Sequence, residues 1–92
     1  MNADNPALRA SHASWRCVQA GLKAEWLALM ADDVCVEDPV GRSPLDKVGE
    51  GHRGKAAVSA FWDANIGPNT IEVTCHESFT GGLEVAHVLT LT

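Results

Sequence analysis

The sequence contains no tyrosine, no excess of basic residues and no closely spaced pair of cysteines. Its formal net charge of -5 argues against nucleic acid as a partner, because phosphate binding requires a basic face. The same charge argues against an anionic membrane surface. No apolar run approaches the length that crosses a bilayer, and the first residues lack the regions of a secretory signal. We therefore expect a cytoplasmic protein with no nucleic-acid or membrane partner.

The cysteines and glycines give no evidence for a cofactor. Cys17, Cys35 and Cys75 are odd in number and widely spaced, which predicts reduced, mostly buried thiols. Together with the histidines they lack metal-ligand spacing. Residues 49–54 match the G-x-G-x-x-G dinucleotide motif, but no strand precedes them, and Glu50 stands where a pyrophosphate would approach. We expect no metal and no cofactor.

Three segments have the apolar spacing of amphipathic helices. Asn5 and Pro6 are a typical N-cap and first helical residue, and Gly21 is a typical helix stop. The predicted helices cover residues 6–20, 23–31 and 55–66. Their apolar residues are Leu8, Trp15, Val18 and Leu22 in the first, Trp26, Leu29 and Met30 in the second, and Val58, Phe61, Trp62 and Ile66 in the third.

Alternating residues predict strands at 34–38, 70–80 and 83–92, the last two joined by a Gly81-Gly82 hairpin turn. Residues 40–54 are expected to form a loop. One face of the second strand should carry Ile71, Val73, Cys75 and Phe79, and one face of the third Leu83, Val85, His87, Leu89 and Leu91. The order α-α-β-α-β-β predicts an α+β fold, with helices packed on one face of a mostly antiparallel sheet.

Residues 1–92 are expected to form a single domain that is incomplete at its C-terminus. The last predicted strand is long and uncharged, and such an edge is prone to associate with other chains. We therefore expect further strands to be missing after Thr92, and we expect self-association.

Asp38 is the candidate catalytic residue. It shares a strand face with Val34 and Val36, so it lies among apolar side chains if the valines are buried. Desolvation would strengthen such a carboxylate as a base for removing a proton next to a carbonyl. The alternative is that Asp38 only caps the turn at residues 39–41.

The run Ala31-Asp32-Asp33-Val34-Cys35-Val36-Glu37-Asp38-Pro39-Val40-Gly41 resembles that of the ketosteroid isomerases. The likeness extends through Gly51-His52-Arg53-Gly54 to a helix carrying Phe61-Trp62. The ketosteroid isomerases belong to the superfamily named after nuclear transport factor two, which also contains the polyketide cyclases. It implies a cone-shaped, barrel-like α+β fold with an apolar cavity, usually in a homodimer.

The resemblance implies that Asp38 shuttles a proton across a steroid enone. Ketosteroid isomerases pair this base with a tyrosine and a protonated aspartic acid that bind the oxyanion. Here the tyrosine position falls at Ser14, and the second donor belongs to a strand beyond Thr92. The resemblance therefore supplies one of the three family residues.

The expected ligand is a small apolar molecule with rings. Ser14 and His87 could donate hydrogen bonds to it, although a helical serine often faces solvent and such a histidine is often a satisfied core residue. The other candidate wall residues are Trp15, Val36, Phe61, Trp62, Val85 and Leu89. Two further functions remain open: a cyclase or hydratase acting on a polycyclic or terpenoid substrate, and a non-catalytic binding or dimerisation module.

Overall fold

The computed structural model describes residues 5–38, 40–44 and 46–92. The element order is α1 (Pro6–Ala20), α2 (Lys23–Ala28), β1 (Cys35–Val36), β2 (His52–Arg53), α3 (Gly54–Phe61), a π-helical turn (Trp62–Ile66), β3 (Val73–Gly81) and β4 (Glu84–Leu91). Both strand pairs, β1–β2 and β3–β4, are antiparallel. The predicted α+β fold class is confirmed. Within the described part of the chain, no helix is long and apolar enough to span a membrane.

Helix α1 has the predicted bounds because both its ends are capped. Asn5 Oδ1 accepts the backbone N–H of Leu8 at 3.1 Å, and Gly21, with a φ of 71°, donates its N–H to the Cys17 carbonyl. Asn5 Nδ2 also donates to the Gly82 carbonyl at 3.1 Å. At the other end, Gln19 Oε1 accepts the backbone N–H of Val73 at 2.9 Å. These side chains fix α1 across the β3–β4 hairpin.

The other two helices differ from their predicted bounds. Helix α2 ends at Ala28, since the next two amides bond to carbonyls three residues back, in a tighter turn. Leu29 is 44% exposed, so its predicted place on an apolar face is wrong. Helix α3 continues as a π-helical turn, closed by the Gly67 N–H on the Trp62 carbonyl at 2.8 Å. The predicted single helix over residues 55–66 is therefore two helical forms.

A short strand lies inside the predicted loop. β2 pairs with β1 through Cys35 opposite Arg53 and Val36 opposite His52. The prediction of a loop over residues 40–54 is wrong at this point, and the strand predicted over 34–38 forms at only two residues. Earlier in the loop, Asp46 accepts the backbone N–H groups of residues 49 and 51 at 3.0 and 2.7 Å.

A β-bulge changes which side chains of β3 face the helices. The pairing of β3 with β4 shifts between residues 75 and 77, where His76 is an additional residue. Beyond the bulge Ser78 lies opposite His87, and Phe79 is 58% exposed. The prediction that Phe79 shares one face with Cys75 is therefore wrong, because the additional residue exchanges the two faces.

The core lies between the three helices. Its buried cluster contains Cys17, Trp26, Val58 and Trp62, and the two indole rings have centroids 5.1 Å apart. Val58 is fully buried, as its place on the apolar stripe of α3 predicts. Cys35 and Cys75 are exposed, so the prediction of buried thiols is correct only for Cys17.

Candidate ligand-binding site

A cavity of about 210 Å³ opens between α1, the π-helical turn and the two strand pairs. Its walls are mainly aliphatic and aromatic, with one serine and one carboxylate among them. The lining residues are Ser14, Trp15, Val18, Trp26, Val36, Asp38, Phe61, Ile66, Ile71, Val73, Leu89 and Leu91. An apolar cavity with few polar groups is suited to a largely apolar ligand that is oriented at one or two points.

Ser14 is oriented by the indole of Trp26. Trp26 Nε1 donates to Ser14 Oγ at 3.0 Å, and Ser14 is half-buried in the cavity wall. A hydroxyl that accepts one hydrogen bond still has its own hydrogen to donate. By contrast, Ser11 on the same helix donates back to the Ala7 carbonyl at 2.9 Å. Ser14 therefore lines the cavity instead of facing solvent.

Asp38 lies two residues beyond β1 and contributes to the cavity wall. The alternation along this segment continues past the strand: Val34 and Val36 are half-buried, whereas Cys35 and Glu37 are exposed. Asp38 lines the cavity but is itself exposed. The expected burial of its carboxylate among apolar side chains is therefore not observed. The alternative turn cap involves Pro39, which lies outside the described residues.

His87 lies behind the cavity wall. Its ring packs edge-to-face on Trp15, with centroids 4.5 Å apart and planes at 72°. His87 Nδ1 is 2.8 Å from Ser78 Oγ. Burial, and then the nearby His12, lower the pKa of His87 below its ordinary value of 6.5. His87 is thus absent from the lining of the cavity, although its ring packs on Trp15, which does line it.

Two other predicted wall residues also lie elsewhere. Trp62 is 4% exposed and packs on Trp26 in the core. Val85 lines a shallow depression at the tip of the hairpin, with Phe79 and Gly81 among its neighbours. The cavity thus contains the predicted residues Ser14, Trp15, Val36, Asp38, Phe61 and Leu89.

The sequence interpretation missed half of the cavity wall. These residues are Val18, Trp26, Ile66, Ile71, Val73 and Leu91. Strand parity was the available signal for Leu91, which shares a face with Leu89. For the others, the apolar spacing predicted a buried face on each element but did not show that these faces meet at one cavity.

The chain is similar to a known protein family and to several solved structures. The SnoaL-like domain family matches residues 12–92. No curated protein matches the chain. Among solved structures, Rv0760c from Mycobacterium tuberculosis is 50% identical with a TM-score of 0.92, over 99% of this chain and 70% of that chain. In complex with estradiol-17beta-hemisuccinate, the same protein gives 52% and 0.90, over 96% and 69%.

Another similar structure is the Delta 5-3-ketosteroid isomerase from Mycobacterium sp., at 52% identity and a TM-score of 0.89, over 95% of this chain and 68% of that chain. A computationally designed 17-OHP binder is 47% identical with a TM-score of 0.91, over 96% and 68%. The resemblance to ketosteroid isomerases is confirmed. The chain therefore belongs to the SnoaL-like domain family, within the superfamily named after nuclear transport factor two.

Proposed function

We propose that the protein binds a neutral steroid-like ketone in this cavity and isomerises it by proton transfer, with Asp38 as the base. The observation that carries the proposal is the pairing of one carboxylate and one oriented hydroxyl, Asp38 and Ser14, in otherwise apolar walls. Solved relatives include a ketosteroid isomerase, a complex with an estradiol ester and a designed steroid binder, which supports this ligand class.

The size of the cavity supports partial enclosure of such a ligand. Its 210 Å³ is below the roughly 300–1,000 Å³ of typical ligand pockets. A fused-ring ligand would therefore be only partly enclosed by the apolar walls, which include Trp15 and Phe61. Asp38 lines the same cavity, so its carboxylate would lie against such a ligand.

The proton transfer would involve only the substrate and the side chains present. Asp38 would remove a proton from the carbon between the carbonyl and the double bond of a β,γ-unsaturated ketone. The resulting dienolate would take the same proton back at the far end of the conjugated system. Ser14 would donate a hydrogen bond to the oxygen as negative charge develops there. The isomerisation needs no redox cofactor, because the same proton is removed and returned and the substrate is neither oxidised nor reduced.

The test compares Asp38→Asn with the wild type in an absorbance assay for conjugated enone formation from a β,γ-unsaturated ketosteroid. Removing a general base typically costs roughly a hundred- to ten-thousand-fold in rate, while ligand affinity should change little. Glu37→Gln is the matched control, since it removes an adjacent carboxylate that is absent from the cavity wall. Undiminished turnover in Asp38→Asn would eliminate the base role.

Two further results would direct the proposal elsewhere. Steroid binding without any wild-type turnover would favour the non-catalytic binder, which the absence of tyrosine already supports. A large loss of thermal stability in Asp38→Asn would favour the turn cap, since exposed substitutions without such a role usually stay within about 0.5 kcal/mol.

We also propose that two copies associate through the outer face of the β3–β4 hairpin. Phe79 and Val88 are 58% and 49% exposed there, on the face opposite His87. Burying such residues is the usual source of dimer stability. Sedimentation velocity should show a dimer for the wild type and a monomer for Phe79→Glu. A monomeric wild type at micromolar concentration would contradict this proposal.

A further inference from the structure

One ring of the cavity wall is flanked by two histidines. Trp15 lines the cavity, and its ring centroid lies 4.5 Å from that of His87 and 5.2 Å from that of His12. His12 lies one helical turn before Trp15 on α1, whereas His87 comes from β4. The position of the indole is therefore set partly by the packing of two titratable rings that do not line the cavity.

His87 is held in place by the bulged part of the hairpin. Ser78 Oγ is 2.8 Å from His87 Nδ1 and 3.3 Å from Cys75 Sγ. His87 Nε2 is buried and has no hydrogen-bond partner among the described residues. In that part of the chain the titratable groups that face His87 are His12 from α1 and Cys75 from β3. This arrangement suits a neutral imidazole, which needs only one strong partner.

A second proton on His87 has no favourable place in this packing. The imidazolium would carry an N–H at the buried Nε2, with no acceptor among the described residues and with His12 nearby. Leaving a charged N–H buried without an acceptor is costly, so the ring would move toward water. Trp15 packs directly on this ring, and separating the two rings would displace the indole from the cavity wall.

We propose that His87 is a positioning residue of the cavity: its neutral ring holds Trp15 in the wall, and its protonation releases the indole and weakens ligand binding. The first half of this proposal, that the neutral ring holds Trp15 and that protonation releases it, concerns the ligand-free protein alone. The second half rests on the proposed ligand-binding function, and the two experiments below separate them.

The first experiment follows the Trp15 indole N–H by NMR in the ligand-free protein, with Trp15→Phe to assign its signal among the three tryptophans. In the wild type the signal should move with a midpoint below 6.5, together with the His87 ring signals. His87→Gln should abolish this movement. His76→Gln should preserve it, since His76 lies on the outer face and contacts Thr90 at 2.6 Å.

A Trp15 signal that does not change with pH in the wild type would overturn the positioning role. A signal that still changes with pH in His87→Gln would overturn it too. The second outcome would assign the effect to His12. These results are independent of any ligand, so they decide the first half of the proposal even if no steroid binds.

The second experiment measures the dissociation constant of progesterone, a ketosteroid without a titratable group, from about pH 8 to about pH 5, where histidine titrates. Binding that excludes one proton weakens by up to about tenfold for each pH unit below the midpoint. We expect this loss in the wild type and in His76→Gln, and a flat profile in His87→Gln.

A progesterone dissociation constant that does not change with pH in the wild type would overturn the proposed weakening of ligand binding. So would tighter binding in acid, which a cation–π contact between protonated His87 and Trp15 would produce. Failure to bind progesterone at any pH would instead refute the proposed ligand class. The NMR titration would then still decide whether His87 positions Trp15.

Discussion

Asn5 joins the first helix to the hairpin through two hydrogen bonds. Replacing its side chain should measurably lower the free energy of unfolding. Its Oδ1 accepts from Leu8 and its Nδ2 donates to Gly82, each at 3.1 Å, and only 6% of the residue is exposed. Losing an N-cap costs about 1 kcal/mol, and losing a further hydrogen bond costs about 0.5–1.5 kcal/mol. Asn5→Ala should therefore lower the free energy of unfolding by about 1.5–2.5 kcal/mol.

Two further variants separate these contributions. Asn5→Ser keeps a helix-capping oxygen but loses the amide that donates to the Gly82 carbonyl, so it should lose less stability than Asn5→Ala. Asn69→Ala is the control, because Asn69 makes an exposed hydrogen bond of 2.8 Å to the Asn65 carbonyl. Thermal melts must use one protein concentration, since association shifts Tm. An Asn5→Ala variant within about 0.5 kcal/mol of the wild type would refute the reasoning.

Two predictions concern the loop before α3. Gly51→Ala should lower the free energy of unfolding more than Gly54→Ala. Both glycines have positive φ, 84° and 82°, but a Cβ on Gly51 would lie 2.6 Å from Cys35 Sγ, whereas Gly54 has no described heavy atom within 4 Å. Equal losses in urea unfolding would contradict this. For Asp46, the hydrogen bond from Gly51 lowers the pKa below 3.8. Its stabilising effect should be present above 3.8 and lost as pH falls through the folded-state pKa. Asp46→Asn should therefore lack part of the wild type's acid sensitivity, and identical urea profiles against pH would contradict this.

The bounds of α1 were predictable because residues next to each other in the sequence determine them. Asn5 supplies the capping oxygen, Pro6 the fixed φ, and Gly21 the left-handed stop. The ends of α2 and α3 were not predictable in this way. Trp62 packs on Trp26 from within the π-helical turn, and that contact joins residues far apart in the sequence.

The cavity was predictable only in part for the same reason. Parity along one strand identified Val36 and Asp38 as neighbours on one side, because that relation is local. The contact of Trp26 Nε1 with Ser14 Oγ joins two helices, and Ile71 meets the cavity only after the chain has turned. Neither relation leaves a periodic signal within a single element.

The bulge in β3 shows how an unpredicted irregularity can determine the surroundings of a residue that packs on the cavity wall. Uninterrupted alternation would place residues 77 and 79, and not Ser78, on the same face as Cys75. The additional residue at His76 exchanges the faces, so the Ser78 hydroxyl lies opposite His87 instead. Its Oγ supplies the partner of His87 Nδ1, and the ring so held packs on Trp15. The packing of His87 on Trp15 thus involves a change of register that only the pairing of both strands specifies.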